Sequence, residues 1–297
     1  MDISKEEFDM LTDAAVRITG LTKVYKEFAI ENLNLSIPQG YITGFVGRNG
    51  AGKTTTLKAV LNMIQFDGKI QVLGMDNRRH EQEIKNRIGA VLSEDGFIED
   101  IPVARLIQII RLFYSRWRDD IFGVLAEKFG VSMDKKVSEL SRGMRVKLAL
   151  AVALSHEAEL FLLDEPTSGL DPIIREEILD LFMELIQDEK KTVLFSTHIT
   201  SDLDKVADYI VLIEQGRIVF QQPKDELLEA HAVIRGGTEE LAKISREFLV
   251  GWKQNQFGFE ALVKKERFLQ YRDFAPERPN IEQIMTYYVR GIEHERD

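Results

Sequence analysis

The chain has no cysteine among its 297 residues, which excludes disulfides and thiolate metal sites and suits a reducing compartment. It has no long apolar run. The longest, residues 148–154 (LALAVAL), is far short of the roughly 18–20 residues that a membrane-spanning helix needs. It also lacks a basic excess: 39 Lys and Arg stand against 49 Asp and Glu, for a formal net charge of −10. Nucleic-acid backbones need cations to neutralise them, so this balance argues against nucleic acid as a partner and leaves only a local patch at Arg142, Arg145 and Lys147. The opening MDISKEEFDM is acidic and has no signal-peptide pattern. A cytoplasmic location is expected, with any membrane role exercised through a partner. No internal repeat or low-complexity segment is evident.

What is present is a globular composition, 44% hydrophobic and 30% charged, long enough for one large domain and a small one. Residues 47–55 read GRNGAGKTT, the spacing G-x-x-x-x-G-K-[ST]. Gly47, Gly50 and Gly52, with Arg48, Asn49 and Ala51 between them, let the backbone turn tightly so that N–H groups face phosphate oxygens. Lys53 supplies a compact positive charge for the β- and γ-phosphates, Thr54 offers a hydroxyl to Mg²⁺, and Thr55 completes the run. Residues 41–46 (YITGFV) read as a buried strand, and residues 53–64 as a helix whose N-terminus favours anions. That strand–loop–helix context separates the motif from an ordinary glycine-rich turn.

Around this loop the sequence predicts an α/β fold. Residues 15–25, 30–37, 69–73 and 88–92 read as strands; Leu33, Leu35 and Ile37 alternate with polar residues, the period of a half-buried strand. Residues 80–87 read as a polar helix. From Pro102 the pattern turns helical, with Leu106, Ile109, Ile110 and Phe113 on one face and a second helix over 119–129. Strands at 159–163, 192–196 and 209–213 then alternate with helices at 172–187 and 201–206, as a mostly parallel, covered sheet requires. After about Lys224 the chain becomes charged. Strand-like pieces at 232–234 and 259–263, helices at 239–247 and 281–289, and a Pro-containing stretch at 274–279 suggest a small α+β appendage.

Residues 160–165 (LFLLDE) deliver two carboxylates at the end of an apolar strand, where open α/β sheets bind ligands. Asp164 is expected to hold Mg²⁺, directly or through water, and Glu165 to polarise the attacking water. Residues 140–144 (LSRGM) open an apolar helix with Ser141 as a natural N-cap; capping is the plain alternative to a role with ligand. The order of phosphate loop, LSRGM, LFLLDE, residues 168–171 (SGLD) and a downstream His198 resembles the ATP-binding subunits of ABC transporters, over roughly residues 16–228.

The resemblance implies a P-loop NTPase of the ABC ATPase type, with an antiparallel β part and a helical subdomain. It places the signature Ser141, Arg142, Gly143 and Met144 against the γ-phosphate of ATP held on an opposite subunit. Arg142 and Met144 depart from the commonest LSGGQ form and match variants familiar among bacterial exporters. Ser168, Gly169, Leu170 and Asp171 correspond to the D-loop that crosses the dimer interface, His198 to the switch histidine, and Tyr25 to the ring that stacks on adenine, with Phe28 nearby. The family places a Gln, or sometimes a Glu, after the strand at 88–92, linking Mg²⁺ to the membrane subunit. Here Ser93 stands there with Glu94 and Asp95 behind it, so either Ser93 or Glu94 takes that place. Phe97, Ile98 and Ile101 either line the groove that receives the membrane partner or pack locally under the helices.

The expected organisation is a lead-in over 1–14, an ATP-binding domain over 15–222 with its helical part at about 96–155, and a small domain over 223–297. Two copies, or this chain and a related one, would enclose two ATP and drive an integral-membrane permease from its inner face. The size and the SRGM signature resemble exporters of antimicrobial or cytolytic peptides. The competing class is a soluble ABC-type ATPase acting on nucleic acid or ribosomes. Members of that class carry a long coiled coil between Lys53 and Asp164 or two ATP-binding units, and this chain shows neither.

Overall fold

Alternation of apolar and polar side chains builds the first layer. Strand β2 (Ala29–Pro38) buries Leu33, Leu35 and Ile37 on one face. It pairs antiparallel with β1 (Ala14–Val24), which pairs in turn with β4 (Asp67–Val72), and β4 with the short β5 (Met75–Asp76). The computed structural model describes residues 13–92, 96–242, 244–265 and 274–294. The lead-in up to residue 12 and the expected metal-linking positions Ser93 and Glu94 lie outside the described residues.

The second layer is a six-stranded sheet in the order β10-β9-β3-β8-β7-β6. Strands β3 (Ile42–Val46), β7 (Leu160–Asp164) and β8 (Thr192–Thr197) bury every residue, as parallel strands covered on both faces do. They run parallel with β6 (Ile88–Val91) and β9 (Tyr209–Glu214). Antiparallel β10 (Arg217–Pro223) closes one edge and was not expected. Its signal was the Gln215-Gly216 turn, with φ of 48° and 74°, the left-handed pair that a two-residue hairpin requires.

Between β6 and β7 the chain forms helices α3 (Val103–Ile110), α4 (Asp119–Lys128) and α5 (Arg142–Leu154), following α1 (Lys53–Val60) and α2 (Glu81–Asn86) earlier in the chain. They share a core of their own, with Val103, Leu106, Phe122, Val137 and Leu148 buried together. At the far end of β6 and β7, Arg87 grips Glu159 through two bonds, at 2.8 and 2.5 Å. That guanidinium holds the Glu159 carboxyl below its usual range, against the opposing effect of burial.

Helices α6 (Pro172–Leu185) and α7 (Thr200–Val206) cover the sheet before β9, and α8 (Lys224–Glu229) leads into the last part of the chain. There, β11 (His231–Gly236), β13 (Gly258–Lys264) and β12 (Leu249–Asn255) form a three-stranded antiparallel sheet in that order. The helix expected over 239–247 is instead a single turn, α9 (Thr238–Leu241), followed by a 3-10 turn at Arg246–Phe248 and then β12. Burial decides against the local helical pattern: Ile244 must reach the apolar cluster around Phe259 and Ala261, so the chain bends there.

The closing helix, α10 (Ile281–His294), lies directly on β12. A Cβ on Gly251 would run into the Tyr287 carbonyl, and one on Gly291 into the Val250 carbonyl, so this approach needs glycine on both sides. Ile281, Ile284 and Tyr287 share one apolar core with Leu203 and Val206 of α7 and with Leu212 of β9. The C-terminal sheet and helix therefore share the interior of the parallel sheet.

Candidate nucleotide site

The site forms where β3, β7 and β8 end side by side, with Val46 beside Thr197 and Asp164 beside Ser196. The chain leaves β3 through residues 47–52 and enters α1 at Lys53. Gly50 and Gly52 have φ of 81° and 116°, a left-handed backbone that a side chain would strain. Gly47 is forced by contact, since a Cβ there would meet the Ile213 carbonyl. The β9–β10 hairpin braces the loop from below, its Gly216 N–H donating to the Ala51 carbonyl at 2.9 Å. Arg48, Asn49 and Gly50 form the exposed rim, while Ala51, Gly52 and Lys53 are buried and Thr54 and Thr55 half-buried.

Lys53 folds back into the loop. Its ammonium donates to the Gly47 and Arg48 carbonyls at 2.7 and 3.2 Å, and it lies 3.5 Å from Glu165 Oε1. That carboxylate oxygen is buried with no hydrogen-bond partner among the described residues; at 3.5 Å the ammonium attracts it without bonding it. The other oxygen, Oε2, lies 2.7 Å from His198 Nδ1. Glu165 thus stands between the lysine of the phosphate loop and the histidine after β8.

Asp164 is held from two sides. The Thr54 hydroxyl donates to Oδ2 at 2.8 Å and the Ser196 hydroxyl to Oδ1 at 2.6 Å. A hydroxyl and a carboxylate meeting here are hard oxygen donors. Among the described residues no three His, Cys, Asp or Glu side chains gather into a metal cage. Mg²⁺ needs no such cage, because it keeps several waters and takes one or two protein oxygens beside substrate phosphates. The residues present therefore fit a phosphate-bound Mg²⁺, with Thr54 and Asp164 as its protein side.

The other anticipated residues sit around this centre. Tyr25 is 44% exposed, with the Lys23 ammonium 5.1 Å from its ring centroid, and Phe28 packs against Gly52. Ser141 caps α5 by accepting from Met144 N–H at 3.3 Å. Gly143 packs against Ile174 of α6, and the Arg142 guanidinium lies over Gly169. Ser168 N–H donates to the Glu165 carbonyl at 3.2 Å, and Leu170 N–H to the Thr167 carbonyl at 3.3 Å. Asp171 caps α6 through bonds from Ile173 and Ile174 N–H, both 3.1 Å.

Sequence reasoning missed two groups. Ser196, a hydroxyl at the end of an apolar strand, becomes meaningful only once β7 and β8 are known to be neighbours. Asp202 is fully buried in α7. It accepts from the Thr167 hydroxyl at 2.7 Å and from Arg175 Nε at 2.6 Å, tying the segment after Glu165 to the helix after His198. No local pattern announces that pairing.

Asp164 and Glu165 also line one end of a groove of about 1520 Å³ that runs along the helical part past Phe97, Phe113, Tyr114 and Val146. Phe97 and Ile101 pack against the helical core, while Ile98 is 52% exposed. Phe97 thus serves both local packing and the groove wall.

A glycine-braced loop, a hydroxyl–carboxylate pair and a second carboxylate beside a histidine, all at the ends of parallel strands, are the arrangement of a P-loop nucleoside triphosphatase. A family profile described as "ABC transporter" matches residues 30–168. The chain is 34% identical over 216 residues to the bacitracin transport ATP-binding protein BcrA of Bacillus licheniformis, covering 71% of each. It is 34% identical over 227 residues to the ABC transporter ATP-binding protein NatA of Bacillus subtilis, covering 74% of this chain and 91% of that one. A solved ATP-binding subunit of an ABC transporter shares the fold, with a TM-score of 0.64 at 21% identity over 72% of this chain and 92% of the other. The chain belongs to the ABC transporter family, among its ATP-binding, ATP-hydrolysing subunits.

Proposed function

We propose that two such subunits, this chain with a second copy or with a related one, close head to tail around two ATP and drive a membrane permease. The observation that carries this reading is the clustering of Lys53, Thr54, Asp164, Glu165 and His198, while Ser141 caps its own helix and is exposed. Lys53 exchanges its carbonyl partners for the β- and γ-phosphates, and residues 47–55 supply backbone N–H groups around them. Tyr25 stacks on the adenine. Thr54 and Asp164 hold Mg²⁺, which when bound neutralises phosphate charge. Glu165 orients the water for in-line attack, and His198 contacts the γ-phosphate while fixing the Glu165 carboxylate.

Ser141, Arg142, Gly143 and Met144 of one subunit complete the site on the other, with residues 168–171 at the seam. The ATP-binding unit covers 15–222, its helical part about 96–155, and a small domain covers 223–297. The groove along the helical part receives the permease, and Phe97 and Ile98 supply its apolar contact. No helix among the described residues is long and apolar enough to cross a membrane; in this reading the chain acts from the cytoplasmic face through that partner. The bacitracin transport relative and the SRGM signature favour export of a peptide or other amphipathic cargo.

The test is Glu165→Gln with ATP and Mg²⁺. Removal of the water-orienting carboxylate is expected to lower turnover by about two to three orders of magnitude, leave ATP binding intact and accumulate dimer on size exclusion. Parental turnover by that variant, with monomer throughout, rejects the proposal.

A further inference from the structure

Ser196 is fully buried at the end of β8, beside Asp164 in the parallel register. Its hydroxyl does two things at once. It donates to Asp164 Oδ1 at 2.6 Å and accepts from the Glu165 N–H at 3.0 Å. A serine hydroxyl has one donor and two acceptor lone pairs, so a single side chain grips both the carboxylate on the metal side and the backbone of the residue that handles water.

That backbone needs a grip. Glu165 has φ of 52°, in the left-handed region that non-glycine residues seldom occupy. Such conformations persist where surrounding bonds over-determine them, and they cluster at functional sites. Both bonds of the Glu165 N–H go to one residue, to the Ser196 hydroxyl at 3.0 Å and the Ser196 carbonyl at 3.2 Å. The carboxylate is then aimed between Lys53 and His198.

The geometry points to Ser196 as the positioning residue for hydrolysis, the group that fixes Asp164 and Glu165 relative to each other. Rested on the reading of Glu165 given above, this adds a specific cause for its orientation. Ser196 acts through the two acidic residues. Without its hydroxyl, Asp164 keeps the bond from Thr54 but loses the one to Oδ1, and the strained Glu165 backbone loses its side-chain partner.

The experiment measures kcat, KM, ATP affinity and melting temperature for Ser196→Ala and Ser196→Thr, each in the parent and in Glu165→Gln. Misplacing a reacting group by about 1 Å costs on the order of a hundredfold. Ser196→Ala is therefore expected to lower kcat about ten- to hundredfold, with KM within about threefold. Its ATP affinity in EDTA should match the parent, while the Mg²⁺ concentration for half-maximal ATP binding rises several-fold, a readout independent of turnover. Ser196→Thr keeps the hydroxyl and should recover most of kcat. In Glu165→Gln, Ser196→Ala should lower the residual turnover by less than it lowers that of the parent, the remaining loss being its action through Asp164, because residues acting as one unit are not additive.

A Ser196→Ala protein that melts earlier yet keeps kcat and Mg²⁺ dependence within about twofold of the parent overturns the proposal and makes Ser196 a packing residue. An undiminished effect of Ser196→Ala in the Glu165→Gln background overturns action through Glu165. Parental turnover by Glu165→Gln alone defeats the function reading itself, whatever Ser196 does.

Discussion

Glu165 Oε2 lies 2.7 Å from His198 Nδ1, although the two residues follow different strands, β7 and β8. Glu165 is mostly shielded while His198 is about half exposed. The histidine thus forms the solvent side of the carboxylate's surroundings. His198→Ala is expected to leave ATP affinity within about threefold and to lower kcat on the order of a hundredfold, as loss of a positioned catalytic partner does. A steady-state ATPase assay beside equilibrium ATP binding checks it; a variant that loses binding and turnover in the same proportion contradicts this division of labour.

The groove along the helical part makes a separate prediction. Phe97 lines it and Ile98 is 52% exposed. Apolar residues clustered in a solvated loop mark a surface meant to be covered. Phe97→Asp and Ile98→Asp should leave the ATPase activity of the isolated chain within about twofold, since neither touches the phosphate loop, while co-purification with the co-expressed permease is lost. Retained assembly for both variants would confine Phe97 and Ile98 to local packing.

Much of this was legible because local chemistry and long-range geometry coincide. A phosphate loop needs its glycines and lysine contiguous in sequence, so residues 47–55 announce themselves. A buried parallel strand ending in acids likewise reads directly at Asp164 and Glu165. The illegible parts depend on pairing across the sheet. Ser196 becomes informative only beside Asp164, and Asp202 only once Arg175 and Thr167 are known to face it. The segment at 239–247 shows the opposite failure. Its helical pattern is real, but Ile244 is worth more in the apolar cluster than in a continued helix, so tertiary burial overrides local preference.

The contact between α10 and β12 reverses an ordinary substitution rule. Gly291 lies within a helix, where alanine is usually better by about 1 kcal/mol. Here a Cβ would collide with the Val250 carbonyl, which lies on a backbone that cannot rotate away. Gly291→Ala is expected to destabilise the chain by about 1–3 kcal/mol, the usual cost of overpacking. Because Ile281, Ile284 and Tyr287 share a core with Leu203 and Val206, the loss should appear in the unfolding of the whole chain. Urea titration followed by circular dichroism measures it, and a raised midpoint would mean that the helix stands off from the strand.

His156 gives a prediction in pH. It follows α5, is 1% exposed and stacks on Tyr114 with ring centroids 3.9 Å apart. Burial, which disfavours the charged imidazolium, pushes its pKa down from 6.5 to about 4. The sign follows from which state takes up the proton. Above about pH 6.5 both folded and unfolded chains carry neutral imidazole and the stability is fully present. As pH falls from there toward 4, the unfolded chain binds a proton that the folded chain refuses, and stability drains away. Between pH 7.5 and pH 5 the loss from this group is on the order of 2 kcal/mol. His156→Phe keeps an aromatic ring against Tyr114 and removes the titration. Urea unfolding at the two pH values should show the variant losing less stability than the parent by about that amount, with His231 and the acidic groups cancelling between the two proteins. Equal losses would mean that His156 takes up its proton in the folded chain as readily as in the unfolded one, and that the Tyr114 stack admits water.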